Sequence, residues 1–169
     1  DTTKPVSSIT GPNAGSWQNV NFALGVEDQD NTGGSGLATC RYHVLDKNAG
    51  WTVSWGTRSC TLSKTITVGP TSDCRTQGSN TCTVYAFAED GAGNIGSSST
   101  RTFSIDYTNP IVGSISQTAA AINVAQTFSA SVSDAHSGVL ACTLWADGVD
   151  VGGMTLSQSP CFTCTASKN

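Results

Sequence analysis

Residues 82–88 read Cys-Thr-Val-Tyr-Ala-Phe-Ala, a run with apolar side chains at both of its alternating positions. Successive side chains of a β-strand point to opposite faces, so the even-numbered residues share one face and the odd-numbered residues share the other. Both faces are fairly apolar, as a strand in the middle of a buried sheet requires. The run therefore predicts a central β-strand.

Further strand-like runs surround this segment. Each is rich in β-branched and aromatic residues and is bounded by Gly, Pro, Asn, Asp and Ser. The runs in the first part of the chain lie at residues 6–9, 20–26, 37–45, 51–55, 62–68, 81–89 and 101–106. Only 12% of the residues are charged, which suits short strands better than long surface helices. About seven short strands in this length predict an all-β, immunoglobulin-like sandwich.

The chain also contains an internal repeat. Asp-Thr-Thr-Lys-Pro at 1–5 returns as Asp-Tyr-Thr-Asn-Pro at 106–110, Val-Glu-Asp at 26–28 returns as Val-Ser-Asp at 132–134, and Ser-Gly-Leu-Ala-Thr-Cys at 35–40 returns as Ser-Gly-Val-Leu-Ala-Cys at 137–142. The matches come in the same order in both halves. We therefore predict tandem immunoglobulin-like units over residues 1–105 and 106–169.

The second unit is predicted to be incomplete. Its strand-like runs lie at 111–115, 127–132, 139–145 and 149–156, and counterparts of the last strands of the first unit are missing. A half-built sandwich exposes strand edges and part of its core, which natural proteins avoid. Two explanations are open: the native chain continues past Asn169, or another molecule donates the missing strands.

Seven cysteines in a chain of 169 residues indicate an oxidising, extracellular location. Their spacing predicts the disulfides Cys40–Cys60, Cys74–Cys82 and Cys142–Cys161, with Cys164 left unpaired and waiting for a downstream partner. A bridge from Cys40 to Cys82 across the sandwich is an open alternative, because four cysteines allow three connectivities.

Three motifs carry a family resemblance: Asp-Thr-Thr-x-Pro at 1–5, Ser-Gly-Leu-Ala at 35–38 and Ala-Glu-Asp-Gly-Ala-Gly-Asn at 88–94. Together they resemble the bacterial Ig-like repeats of large exported surface and adhesin-type proteins. The resemblance covers the first unit and implies a spacer, an adhesive module or a filament part at the cell surface. Lys4 and the cysteines depart from the family pattern.

Two acid-rich turns supply oxygen atoms of the kind that calcium selects. The candidate ligands are Asp28, Asp30, Glu89, Asp90, Asn94 and Asp106. Asp, Gly and Asn are also ordinary turn-forming residues, so a purely structural role is the competing interpretation. No cofactor other than this calcium ion is predicted.

Several function classes find no support in the sequence. No serine lies in a nucleophile elbow with a paired histidine and acid, and no glycine loop suited to phosphate precedes a helix, so we predict that the chain is not an enzyme. The net charge of −4, with 8 scattered basic residues, argues against nucleic acid as a partner. No apolar stretch is long enough to span a membrane as a helix.

The sequence thus predicts a structural and adhesive segment of a bacterial cell-surface protein, a stalk, adhesin or filament. Its expected partners are neighbouring repeats or subunits and a surface glycan or protein ligand. One alternative is a carbohydrate-binding module of a secreted enzyme, with Trp17, Trp51, Trp55 and Trp145 as a stacking platform. The other is a filament subunit whose second sandwich is completed by a strand from a neighbour.

Overall fold

The structure is a computed structural model that describes residues 1–58, 60, 63–118 and 126–168, with the backbone alone at 51–55 and 163–168. All regular secondary structure in this part of the chain consists of β-strands, which confirms the all-β prediction. In the same residues no helix has the length and apolar character needed to cross a membrane. The strands form two compact units, Asp1–Tyr107 and Thr108–Asn169.

Unit 1 consists of two sheets. Its strands are β1 (Val6–Thr10), β2 (Trp17–Gln18), β3 (Phe22–Gln29), β4 (Leu37–Asp46), β5 (Gly50–Arg58), β6 (Lys64–Val68), β7 (Gly78–Asp90) and β8 (Ser99–Ile105). One sheet has the order β1-β3-β6 and the other has the order β2-β8-β7-β4-β5. All neighbouring strands are antiparallel except β2 and β8, which are parallel. The run at 82–88 lies in β7, between β4 and β8, as predicted for a central strand.

The core of unit 1 lies between the two sheets. Along β3 every second side chain is buried, beginning with Phe22, and the intervening ones face outward. Phe22 meets Phe103 of β8 with a ring-centroid distance of 4.6 Å, so one aromatic pair joins the two sheets. Leu24, Val44 and Val84 are fully buried around this pair. Two sheets that face each other over such a core form a β-sandwich.

Unit 2 is a single antiparallel sheet in the described residues. Its strands are β9 (Ile111–Gln117), β10 (Phe128–Ser133), β11 (Cys142–Ala146), β12 (Val149–Leu156) and β13 (Thr163–Lys168). Their order in the sheet is β11-β12-β13-β10-β9, so β11 and β9 are the edge strands. Its core is small: Val132, Val139 and Cys161 are buried, and three partly buried residues pack against them.

The two units share a turn that the repeat analysis placed slightly differently. In unit 1 the Asp30 carboxylate accepts a hydrogen bond of 2.7 Å from the backbone N–H of Gly36. In unit 2 the Asp134 carboxylate accepts one of 2.9 Å from Gly138. Both glycines have positive φ angles, 77° and 79°, which only glycine adopts at little cost. The structural counterpart of Asp134 is therefore Asp30, whereas the sequence match had aligned it with Asp28.

Candidate calcium site and disulfide bonds

Three carboxylates converge at one end of unit 1. Asp1, Asp30 and Asp90 each contribute an oxygen atom, and these atoms lie within 4.8 Å of one another. They come from the opening segment, the loop after β3 and the end of β7. Asp1 and Asp90 belong to two of the motifs quoted above, and Asp30 accepts a hydrogen bond from the N–H of Gly36, which belongs to the third.

Asp90 is brought to this end by the alternation of β7. The side chains at 82, 84, 86 and 88 are buried, and the next position on the same face is Asp90, which is 1% exposed. Its Oδ1 accepts hydrogen bonds from the backbone N–H groups of Ala92 and Asn94, at 2.9 and 2.8 Å, and its Oδ2 accepts one of 2.8 Å from the Asn94 side chain. Burial raises the pKa of the Asp90 carboxyl group, but these hydrogen bonds outweigh it and hold the pKa below its ordinary value. Asp90 is therefore a carboxylate near neutral pH.

Asp1 ties the opening segment to the same end. One of its oxygens accepts hydrogen bonds from the backbone N–H and the hydroxyl of Ser35, at 2.9 and 3.3 Å. The Ser35 hydroxyl oxygen in turn accepts a hydrogen bond from the N–H of Ala92 at 3.0 Å. The Asn94 side chain donates to the backbone carbonyl of Asp1 at 3.2 Å. Backbone N–H groups and short polar side chains thus already partly neutralise the clustered acids.

A glycine keeps the space beside the carboxylates free. A Cβ atom added at Gly34 would lie 2.7 Å from an oxygen of Asp1 and 2.8 Å from an oxygen of Asp30. Real Cβ atoms do not approach other atoms so closely, so any larger residue would displace these flexible side chains. Gly34 therefore allows the three carboxylates to come together.

The structure groups only some of the predicted ligands. Asp30, Asp90 and Asn94 come together, and Asp1, which the sequence analysis missed, joins them. The side chains of Asp28, Glu89 and Asp106 lie outside this cluster, so the predicted six-residue set is corrected to the carboxylates of Asp1, Asp30 and Asp90, with Asn94 beside them as a hydrogen-bond donor.

Each of the three excluded acids has a separate location. Asp28 is buried in an ion pair with Arg58. Glu89 points away from the inward face of β7, and its carboxylate lies 4.0 Å from the guanidinium group of Arg41. Asp106 follows Ile105, which pairs with the beginning of β7, whereas Asp90 ends that 13-residue strand. The faces of the strands therefore exclude Asp28 and Glu89, and the sheet register excludes Asp106.

The donor set fits a hard cation. The carboxylate oxygens of Asp1, Asp30 and Asp90 are ligands of the kind that calcium takes in sites of 6–8 oxygen atoms, whereas Asn94 faces the cluster with its NH2 group and donates hydrogen bonds there. Calcium bound there would neutralise the clustered charge and fasten the three loops to one another. Whether this chain binds calcium is a prediction that a titration decides.

We expect calcium to raise the melting temperature of unit 1. At a calcium concentration ten times the Kd, binding stabilises the folded state by about 1.4 kcal/mol. That corresponds to roughly 5–10 °C for a domain of this size. Differential scanning calorimetry with and without millimolar calcium measures the shift. Asp30→Asn is expected to abolish it, and Glu89→Gln, whose side chain lies outside the cluster, is expected to keep it. A melting temperature that does not change with calcium would assign the carboxylates to loop structure alone.

Two disulfide bonds in unit 1 agree with the spacing argument. Cys40 is bonded to Cys60, and Cys74 is bonded to Cys82. The alternative bridge between Cys40 and Cys82 is therefore excluded. Two disulfides within one unit indicate that the protein folds in an oxidising environment.

The predicted Cys142–Cys161 disulfide is wrong. Cys142 is a free thiol, whereas Cys161 is disulfide-bonded. The reason lies in the strand register: Cys142 is opposite Met154 of β12, and Cys161 forms a β-bridge with Val139, before β11 begins. The side chain of Cys164, predicted to be unpaired, lies outside the described residues.

The structure describes the side chains of two of the four tryptophans in the predicted stacking platform. Trp17 in unit 1 and Trp145 in unit 2 are exposed, and the side chains of Trp51 and Trp55 lie outside the described residues. The stacking platform therefore stays a prediction.

No protein-family model matches the chain, and no curated protein matches it either.

Proposed function

We propose that the chain is a structural segment of an extracellular protein, built from tandem immunoglobulin-like repeats of the kind found on bacterial cell surfaces. The observation that carries the proposal is the turn common to both units, in which an aspartate accepts a hydrogen bond from a glycine at positive φ. A repeated structural device of this kind is typical of tandem arrays, in which each repeat is one building unit.

The strand order of unit 1 supports the immunoglobulin-like assignment. In that fold the first, second and fifth strands form one sheet, and the third, sixth and seventh strands belong to the other. Leaving aside the two-residue β2, the sheet β1-β3-β6 corresponds to the first set, and β8-β7-β4 corresponds to the second, with β5 added at the edge.

The location of the polar groups supports a mechanical role. The conspicuous polar groups of unit 1 are used in structure: the clustered carboxylates hold three loops together, and Asp28 and Arg58 pair inside the sandwich. Disulfides add covalent links between strands and loops. A unit fastened in these ways is suited to projecting or connecting other parts of a surface protein, and to carrying adhesive surfaces.

Protein from its native source tests the proposal. We expect a protease added to intact cells to release peptides of this chain without lysis, and non-reducing peptide mapping to recover the two disulfides of unit 1. Intact mass from the same material reports the length of the native chain and the number of repeats. Recovery of the protein only after lysis, or with reduced cysteines, would overturn the extracellular assignment.

A further inference from the structure

The chain contains two Asp-Gly dipeptides and no Asn-Gly dipeptide. They are Asp90–Gly91, at the end of β7, and Asp147–Gly148, between β11 and β12. An aspartate before glycine is prone to cyclise, because glycine has no side chain to hinder the approach of its backbone nitrogen to the carboxyl group. The two dipeptides are chemically equivalent, so the fold determines which of them reacts.

The fold holds Asp90–Gly91 in place. Asp90 is 1% exposed, and both oxygen atoms of its carboxylate accept hydrogen bonds within the turn that follows β7. The N–H group of Gly91, whose nitrogen would have to attack, donates a hydrogen bond of 2.8 Å to the backbone carbonyl of Gly36. Neither reacting group is therefore able to approach the other while unit 1 stays folded.

Asp147–Gly148 has none of these constraints in the part of the chain that the structure describes. Both residues are exposed. No hydrogen bond between described residues engages the Asp147 carboxylate or the Gly148 N–H group. A Cβ atom added at Gly148 would meet nothing within 4 Å, so the space around the attacking nitrogen is open.

The hairpin that carries this turn also opens at little cost. In the described residues β11 is an edge strand of its sheet, and Leu144 is the one buried residue of β11 and β12. The φ angle of Asp147 is 50°, which is unfavourable for a residue other than glycine. Cyclisation requires the turn to leave this conformation so that the Gly148 nitrogen reaches Cγ of Asp147. Weakly packed edge hairpins have low local stability, so this opening is frequent.

We propose that Asp147 is a site of spontaneous isoaspartate formation. The Gly148 nitrogen attacks Cγ of the Asp147 carboxyl group and loses its proton, the N–Cγ bond forms, and the Cγ–OH bond breaks with release of water. Water then hydrolyses the succinimide ring. Hydrolysis at Cγ restores aspartate, whereas hydrolysis at the backbone carbonyl carbon leaves the chain running through Cβ and Cγ, with a free α-carboxylate. One water molecule leaves and one enters, so the reaction needs no oxidant, and it does not depend on the proposed extracellular role.

The modification changes a turn whose length fixes the register of two strands. Ala146 pairs with Val149, which leaves a two-residue hairpin turn. Such a turn requires positive φ angles at both central residues, and the observed angles are 50° at Asp147 and 78° at Gly148. Isoaspartate inserts an additional atom into the backbone of this turn, so the turn loses its geometry. We therefore expect β11 and β12 to pair less tightly in the modified chain.

Ageing of the purified 169-residue chain tests the proposal. Samples are kept near neutral pH for weeks, and isoaspartate is located by peptide mapping with electron-transfer fragmentation, which distinguishes it from aspartate of the same mass. We expect isoaspartate to form at least about tenfold faster at Asp147 than at Asp90, because only the first site cyclises by local opening. In the reduced chain unfolded in urea, the two rates are expected to become equal. Amide hydrogen exchange in residues 142–146 is expected to be faster in the modified fraction.

Two substitutions in the turn give matched variants. Asp147→Asn keeps a dipeptide that favours this type of turn and forms the same ring with loss of ammonia, so we expect a faster reaction that raises the mass. Gly148→Asn also tolerates a positive φ angle but places a side chain beside the attacking nitrogen, so we expect a slower reaction. The proposal is overturned if the folded chain forms isoaspartate at Asp90 as fast as at Asp147, or if Asp147 reacts only after unfolding. Unchanged exchange in the modified fraction would overturn the effect on the hairpin.

Discussion

Arg58→Ala is expected to lower the free energy of unfolding of unit 1 by about 3–5 kcal/mol. Arg58 of β5 and Asp28 of β3 form an ion pair across the two sheets, with 2.6 Å between Nη2 and Oδ1. Both side chains are 1% exposed. Asp28 also accepts a hydrogen bond of 2.5 Å from the hydroxyl of Ser7. Removing the guanidinium group leaves a buried carboxylate without its counter-charge, which is the origin of the large loss.

A paired replacement separates this cause from lost packing. Asp28→Leu together with Arg58→Met is expected to destabilise less than Arg58→Ala alone, since no unpaired charge then stays buried. Glu89→Gln is the control for an exposed pair, and we expect it to cost less than about 1 kcal/mol. Urea unfolding that is monitored through amide hydrogen exchange in β7 reports on unit 1 alone. A loss below about 1 kcal/mol for Arg58→Ala would show that the ion pair is not closed in solution.

The alternation of residues along β3 predicts that Asp28 is buried, which overall composition does not. Phe22, Leu24, Val26 and Asp28 occupy the same alternating positions of β3, so the pattern that buries the apolar residues also buries the acid. A buried carboxylate needs an oppositely charged partner, so the pattern predicts a basic residue on another strand of the unit. Arg58 lies beyond the strand predicted at 51–55, so the sequence pattern does not distinguish a buried from an exposed arginine there.

The acidic cluster was predictable only in part, for a related reason. The alternation along β7 places Asp90 on the inward face at the end of the strand, and the turn residues that follow suggest an oxygen-rich loop. Asp1 could not be assigned in this way. Its proximity to Asp90 depends on where the opening segment lies in the folded unit, and no local sequence pattern predicts that position. The exclusion of Asp106 follows likewise from the pairing of β7 with β8.

The strands themselves were well predicted because period-2 alternation is a local property. Each run identified in the sequence overlaps an observed strand. Among the described residues, the strands that were missed are β2, whose two residues are too few to show a period, and β13, whose Thr-Cys-Thr-Ala-Ser-Lys lacks large apolar residues. The wrong cysteine pair has a similar origin, since spacing copied from unit 1 ignored the different register of β12.

Removing either disulfide of unit 1 is expected to cost about 4 kcal/mol, and the two losses are expected to be similar. The loop that Cys40–Cys60 closes spans 20 residues and the loop that Cys74–Cys82 closes spans 8. Loop closure alone makes these bridges worth about 3.3 and about 2.5 kcal/mol, respectively. Burial of the sulfur atoms favours the Cys74–Cys82 bridge instead. Cys74 and Cys82 are both fully buried, whereas Cys60 is only partly buried.

The Cys74–Cys82 bridge therefore has one more fully buried sulfur atom than the Cys40–Cys60 bridge. On the scale of a buried methylene group this atom contributes about 0.8 kcal/mol, which offsets the smaller contribution from closing the shorter loop. Cys40→Ala/Cys60→Ala and Cys74→Ala/Cys82→Ala are therefore matched variants, to be compared by urea unfolding of unit 1. If the first variant loses clearly more than the second, chain entropy dominates and the sulfur atoms add little by packing. If the second loses clearly more, the Cys74–Cys82 bridge acts mainly as part of the core. Equal losses show that covalent closure and core packing contribute jointly to the stability of the unit.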